Sequence, residues 1–306
     1  MTDTFAISPS VLEWVCRAID LTALPASQRE RLFEWRMGKS SPTFDELVEF
    51  SEKAHLPPGY LFLKHPPAEE LPFEKDSIDS QTDFPVPSRE LIDAYCWMQS
   101  IQDWMIDCLE ENEEEEPIFP GLFSACLNPD AAAEYERKLP RLDPGWSLQA
   151  DDDETFQILK DRVSRAGVLV MEAGTVRADR TRILDPEEFR GFALFDQKAP
   201  LIFINSRDST AGKVNTLIYE FRQILRGKND LYTGGDDSVR KEEGSAAATA
   251  EDKPGQPEFD SRFLLALSQS VEAGTTSYTE AFRLTDTSEA AFRAAAEKAT
   301  REVIGN

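Results

Sequence analysis

Histidine is almost missing from this chain. His55 and His65 are the two present in 306 residues, and both lie far upstream of the later segments, so a metal centre built there from imidazoles has no ligands to use. Cysteine is also sparse. Cys16, Cys96, Cys108 and Cys126 stand wide apart with no C-x-x-C pair, which argues against a zinc ribbon or a disulfide framework and makes buried, reduced thiols the expected state. No apolar run approaches membrane-spanning length, and residues 1–10 have neither the basic start nor the apolar stretch of a signal peptide. A cytoplasmic protein without a membrane partner is therefore expected. Positive charge is the third shortage. With 33 Lys and Arg against 57 Asp and Glu the formal charge is -24, which excludes a surface that tracks nucleic acid along its whole length, because phosphate binding needs clustered cations. Any DNA contact must be local, and most of the acid reads as solvated surface.

What remains is enough to fold. Hydrophobic residues make up 41% of the chain, sufficient for the cores of two or three domains. Up to about Pro67 the pattern is of short helices. Pro9 and Ser10 precede an amphipathic run from Val11 to Ile19; a second run from Ala26 to Met37 carries Leu32, Phe33 and Trp35 and meets Gly38 as a stop. Thr43 is placed to cap a third helix, with Glu46 as its capping-box partner and Leu47, Val48 and Phe50 facing inward, and Pro57-Pro58-Gly59 closes the unit. From Pro87 to Glu111 the aromatic and apolar positions Tyr95, Trp97, Met98, Ile101, Trp104, Met105 and Ile106 read as a core-facing helix. The acidic run Glu110–Glu116 that follows reads as a solvated loop.

From Asp151 the pattern changes to α+β. A helix from Thr155 to Ala166 leads to three apolar runs, Gly167–Met171, Gly191–Phe195 and Pro200–Asn205, expected as three strands. Next comes Val214-Asn215-Thr216-Leu217-Ile218-Tyr219-Glu220-Phe221-Arg222-Gln223-Ile224-Leu225-Arg226-Gly227. It has the frame of H-E-x-x-H, in which two histidines one turn apart bind zinc and the glutamate activates the metal-bound water. Tyr219 and Gln223 stand where the histidines belong, and a phenol and an amide are poor zinc ligands. Neither zinc nor any other cofactor is expected. Glu220 alone has nothing to polarise a peptide carbonyl, so it is expected either paired with Arg222 or Arg226 or solvated. A residual site using Asp236 or Asp237 for another metal is the lesser alternative. Residues 229–258, with Thr233–Ser238, Gly244–Ala250 and Pro254–Pro257, have the composition of a flexible linker. Two amphipathic helices, around Phe259–Leu267 and Tyr278–Thr285, end the expected order.

Two segments carry a family resemblance. Leu32–Thr43 resembles the W-x-x-G-x-x-x-P-T signature of XRE-type helix-turn-helix domains, and Leu56-Pro57-Pro58-Gly59-Tyr60-Leu61-Phe62-Leu63 resembles the connector to an ImmA/IrrE-type metallopeptidase domain. The order helix, three strands, motif helix is similar to that second domain, as are Leu184–Ala193 and Ala199–Asn205. The resemblance implies an N-terminal helix-turn-helix domain at 1–67, a helical connector at 68–150 and a zincin-like core at 151–228. The linker at 229–258 and C-terminal helices at 259–306 complete it. The fold class expected is α+β, mainly helical. The resemblance also implies operator binding through Arg29, Arg31, Arg36 and Lys39, as a homodimer or with a partner, and pairing with a small toxin such as a PIN-type ribonuclease. With its histidines replaced, the chain reads as a pseudo-peptidase acting as an antitoxin or transcriptional regulator. The alternatives are an active metallopeptidase that cleaves a repressor, and an interaction module without DNA binding.

Overall fold

The computed structural model describes residues 4–69, 71–73, 87–112, 152–234 and 256–304. The chain forms two compact units, Met1–Leu71 with Gln81–Ile92, and Pro72–Ser80 with Asp93–Asn306. Its class is α+β with a small mixed sheet.

The first unit is built from short helices whose ends are set by local chemistry. Helix α1 (Pro9–Ala18) starts on a proline, which costs nothing in the first turn because that N–H has no intrahelical acceptor, and buries Val11, Leu12 and Val15. Helix α2 (Ala26–Arg36) buries Leu32 and Trp35 and leaves Phe33 exposed. Gly38 turns the chain at φ 66°, a left-handed conformation that a Cβ disfavours. Helix α3 (Phe44–Ala54) begins with the expected capping box: the Thr43 side chain accepts from the Glu46 N–H while the Glu46 carboxylate accepts from the Thr43 N–H. Such a cap contributes about 1 kcal/mol. Trp35 packs edge-on against Phe50 at 5.3 Å between ring centroids, joining α2 to α3. Contrary to the expectation that Pro57-Pro58-Gly59 closes the unit, these residues open a 3₁₀ turn, Pro58–Phe62, whose Leu61 enters the same core. Proline suits the first position of a helical turn as readily as it ends a preceding one.

Helix α4 spans Arg89–Glu111, and Trp97, Met98, Ile101 and Met105 are buried as the stripe implied. Glu113–Glu116 lie outside the described residues. In the second unit helix α5 (Asp152–Ala166) precedes strands β1 (Leu169–Ala173), β2 (Gly191–Leu194) and β3 (Leu201–Asn205), which are buried on both faces. That double burial is why the strands read as continuous apolar runs and not as alternating ones. Helix α6 (Thr210–Arg226) carries the motif.

The expectation of three strands is corrected to four. Strand β4 (Asp230–Tyr232) lies inside the segment expected as linker and pairs antiparallel with β2, giving the order β1-β3-β2-β4 with β1 parallel to β3. Linker residues 235–255 lie outside the described residues.

Helices α5 and α6 cover one sheet face, where Phe156, Leu159, Val163, Val170, Ile202, Ile204, Leu217, Phe221 and Ile224 form a core. Each such side chain contributes about 1.5–3 kcal/mol on burial. On the other face Phe192 and Phe203 stack at 4.9 Å, and Gln102 of α4 donates to the Leu194 and Ala199 carbonyls at 2.9 Å each. Gly191 is a close approach: a Cβ there would meet the Phe203 carbonyl and the Thr216 methyl at 2.5 Å each. The tail forms three helices, α7 (Ser261–Ala273), α8 (Tyr278–Thr285) and α9 (Glu289–Ile304), one more than expected. The apolar stripe of α9 is mostly alanine around Phe292, too weak a periodic signal to stand out.

The tail is tied to the free side of β1. Glu258 exchanges two backbone hydrogen bonds with Glu172, at 2.7 and 2.9 Å. Two residues on, buried Asp260 accepts from the Val170 N–H at 3.1 Å with one oxygen and caps α7 through the Arg262 N–H at 2.9 Å with the other. The outer side of β1 thus carries a bridge to the chain's own backbone, while β4 forms the opposite edge of the sheet.

Candidate site around the motif helix

Ser209 caps α6 by accepting from the Gly212 N–H, and Gly227 ends it in the left-handed conformation at φ 74°. The turn at Gly227 sends the chain back along the helix end and into β4 within three residues, and this brings Asp230 and Tyr232 over the motif. The buried positions Thr216, Leu217, Glu220, Phe221, Gln223 and Ile224 form one face at helical spacing. Glu220 stands in the middle of that face.

Its carboxyl is fully buried, and neither oxygen has a hydrogen-bond partner. This overturns the expectation of a carboxylate paired with Arg222 or Arg226 or exposed to water. The reason is position on the helix: residues 220 and 224 share the core stripe, while Arg226 is exposed and Arg222 half-exposed on other faces. Burial pushes the Glu220 carboxyl well above the ordinary carboxylate range, and the negative charge of Asp230 pushes it further. The Tyr232 backbone amide on the same side offers slight stabilisation of the charged form but lacks hydrogen-bond geometry.

The two residues in the histidine positions are engaged with β4. Tyr219 stacks on Tyr232 with ring centroids 4.4 Å apart and planes 29° from parallel. Its hydroxyl donates to the Asp230 carboxylate and accepts from the Gln223 side-chain amide, and burial, then the Asp230 and Glu220 charges, push its pKa up to about 12. Gln223 is itself buried. The structure therefore brings Tyr219, Glu220 and Gln223 together as the sequence implied and adds Asp230 and Tyr232. Those two fell in the expected linker, and their faint sequence signal is the alternation around Leu231. The arrangement is a sealed, oxygen-rich cluster that holds a helix against an edge strand. A general base needs reach to water or substrate, and Glu220 has none.

The described residues hold no group of three or more His, Cys, Asp or Glu placed to share a metal ion. Asp236 and Asp237 lie outside the described residues. The thiols correct the expectation of burial: Cys16 and Cys108 are half-buried and Cys96 is exposed, these three are not in disulfides, and Cys126 lies outside the described residues. Cys96 sits on the solvent side of an amphipathic helix whose opposite stripe carries Trp97 and Met98.

The proposed DNA contacts lie along and just after α2. Arg36 and Lys39 are exposed, Arg29 is half-buried, and Arg31 forms an ion pair with Glu49 of α3 at 2.8 Å. Glu49 also accepts from Gln28 at 3.0 Å, so one carboxylate clamps α2 to α3. Arg36 approaches the Cys16 thiol, whose pKa burial raises and Arg36 partly lowers.

Among known families, residues 259–298 match one described as Domain of unknown function (DUF8813). The match begins at the residue after the Glu258 bridge and takes in α7, α8 and most of α9. No curated protein and no solved structure matches the chain. Among the described residues no helix is long and apolar enough to cross a membrane.

Proposed function

We propose that the chain is a regulatory binding protein, with a DNA-contacting helical head and a peptidase-like body that has lost catalysis and recognises another protein. The observation that carries the reading is the sealed Glu220. The residue in the general-base position is buried beneath β4, and the flanking Tyr219 and Gln223 are engaged with Asp230 and with each other. The XRE-like and ImmA/IrrE-like resemblances support the division of labour. For the head, the Gly38 turn between α2 and α3, fastened by Trp35 on Phe50, supports a helix-turn-helix reading. The charge of -24 suits a basic partner, of which a toxin of PIN-type ribonuclease chemistry is the leading example, and long-range attraction of this kind speeds association and weakens with salt.

Two measurements test the proposal. The purified protein should carry no stoichiometric zinc and show no metal-dependent proteolysis, and Tyr219→His with Gln223→His should not restore hydrolysis, because β4 still covers Glu220. One zinc per chain by elemental analysis, with peptide cleavage abolished by a chelator, would sink the reading. For the head, Arg36→Ala with Lys39→Ala should weaken binding to operator DNA and reduce the salt slope by about one per lost phosphate contact. Glu49→Ala should tighten binding by releasing Arg31. Gel-shift titrations in which neither variant differs from the parent would remove α2 from the DNA interface.

A further inference from the structure

Large apolar side chains left in solvent are concentrated in the first unit. Five of the seven among the described residues, Phe33, Met37, Phe44, Phe62 and Leu63, belong to it, although it is the smaller of the two. Phe44 and Phe62 lean on each other and on Phe5, with ring centroids 6.2, 6.3 and 5.4 Å apart, so their placement is explained within the head. Phe33 and Met37 are different. At 47% and 70% exposed they lie one turn apart at the end of α2, and Phe33 makes no ring contact among the described residues. Their direction follows from the helix. Gln28, Leu32 and Trp35 take the core side at four- and three-residue spacing, and at about 100° per residue Phe33 and Met37 then fall on the outer side. The result is an apolar ridge along the solvent face of the helix that carries the candidate DNA contacts.

We propose that Phe33, with Met37 beside it, is a specificity-determining residue that recognises the C5-methyl group of thymine in the DNA major groove. The proposal rests on the reading of α2 as a DNA-contacting helix and adds what that helix reads. Charge selects the partner. Arg29 and Arg36 lie one turn before and one turn after Phe33 and share one flank of the helix, and Lys39 follows its end. None of the three makes an ion pair among the described residues, whereas Arg31 on another face is held by Glu49. Glu30 and Glu34 stand on the opposite flank, where Glu34 accepts from the Ser40 hydroxyl at 3.2 Å. A phosphate backbone is drawn to the first flank and repelled from the second, which fixes how the helix enters a groove: Arg29 and Arg36 against phosphate, the ridge against the bases.

The ridge also limits what can be read. Phe33 and Met37 have no hydrogen bond to give, so the acceptors and amines of guanine, adenine and cytosine offer them nothing specific. The methyl of thymine is the apolar feature of the major groove, and an aromatic side chain makes a favourable contact with it. Met37, unbranched and polarizable, is suited to fill the space around that contact. The competing occupant of an apolar helix face is a second copy of the chain, and the test separates the two.

The test uses the full chain and duplexes that it selects from a random-sequence pool. Each selected site is remade with deoxyuridine in place of one thymidine at a time, which removes the C5-methyl and nothing else. At one or two positions uracil should weaken binding of the parent by about three- to tenfold, the scale of one buried methyl. Phe33→Ala should lose a similar factor on the thymine duplex and bind the thymine and uracil forms of those positions alike. Because Phe33 lies outside the core of the head, this variant should keep the parent's circular dichroism, and Phe33→Leu, which restores apolar contact, should recover part of the thymine preference. Selective binding that is indifferent to uracil at every position, or a thymine preference unchanged in Phe33→Ala, would overturn the inference and leave α2 on DNA. A pool in which no sequence is enriched would remove the DNA reading of α2 and this inference with it. A fall in molar mass of the free protein on Phe33→Ala, seen by light scattering with the thymine preference intact, would give the ridge to a second copy and overturn the inference as well.

Discussion

Asp260→Ala should lower the stability of the second unit by about 2–4 kcal/mol, the sum of a lost helix cap and an orphaned strand amide. One carboxylate serves both: it accepts from the Arg262 N–H at the start of α7 and from the Val170 N–H in β1. Alanine leaves the Val170 amide buried with no acceptor from this side chain, and α7 starts without its side-chain acceptor. Asp260→Asn should recover part of the loss, since an amide oxygen still caps. Chemical denaturation of the three proteins, read by a probe in the second unit, checks the order parent, Asn, Ala. A change of less than about 1 kcal/mol for alanine would mean that the tail is docked by its aromatic contacts, Phe259 on Trp97 and Phe263 on Trp104, without help from this residue.

Glu220→Gln should make the protein more stable at alkaline pH, by about 1–3 kcal/mol near pH 8, and change it little near pH 5. The sign follows from the direction of the shift. The folded carboxyl holds its proton more tightly than an unfolded one, whose value is near 4.5. Folding is therefore favoured fully below that value and loses up to about 1.4 kcal/mol per pH unit above it until the folded group ionises. Glutamine has no such penalty and can donate to Asp230. Urea titrations of parent and variant at several pH values give the difference directly. A parent that gains on the variant as pH rises would mean that the charged form is the one the fold prefers, and the account of the site would fall.

Much of this architecture was legible because its causes are local. The capping box at Thr43 and Glu46, the stop at Gly38 and the three apolar strands are fixed by neighbours within a turn or a run. The packing stripe of α4 follows from spacing alone. Strand β4 was not legible. Asp230-Leu231-Tyr232 is too short for periodicity, its surroundings are rich in Gly and Asp, and what holds it is pairing with β2 and the Tyr219–Tyr232 stack, both set by the fold. The burial of Glu220 was misread for a different reason. Its spacing from Leu217, Phe221 and Ile224 places it on the apolar face, but a carboxyl on such a face is usually rejected in favour of solvent. The motif frame drew attention to catalysis, whereas the three-and-four spacing held the better answer. Among the candidate DNA contacts the sequence named the basic residues of α2 but gave no sign that Glu49, eighteen residues past Arg31, pairs with one of them.

The bridge between Glu172 and Glu258, with Asp260 reaching Val170 across 90 positions of sequence, also dictates when this unit can be completed. During synthesis β1 emerges long before the residues that close its side, and until they leave the ribosome an apolar strand has one edge open to any passing chain. A message truncated before codon 258 would leave that edge open for good. Such products should be recovered in the insoluble fraction, while full-length chains from the same culture stay in solution.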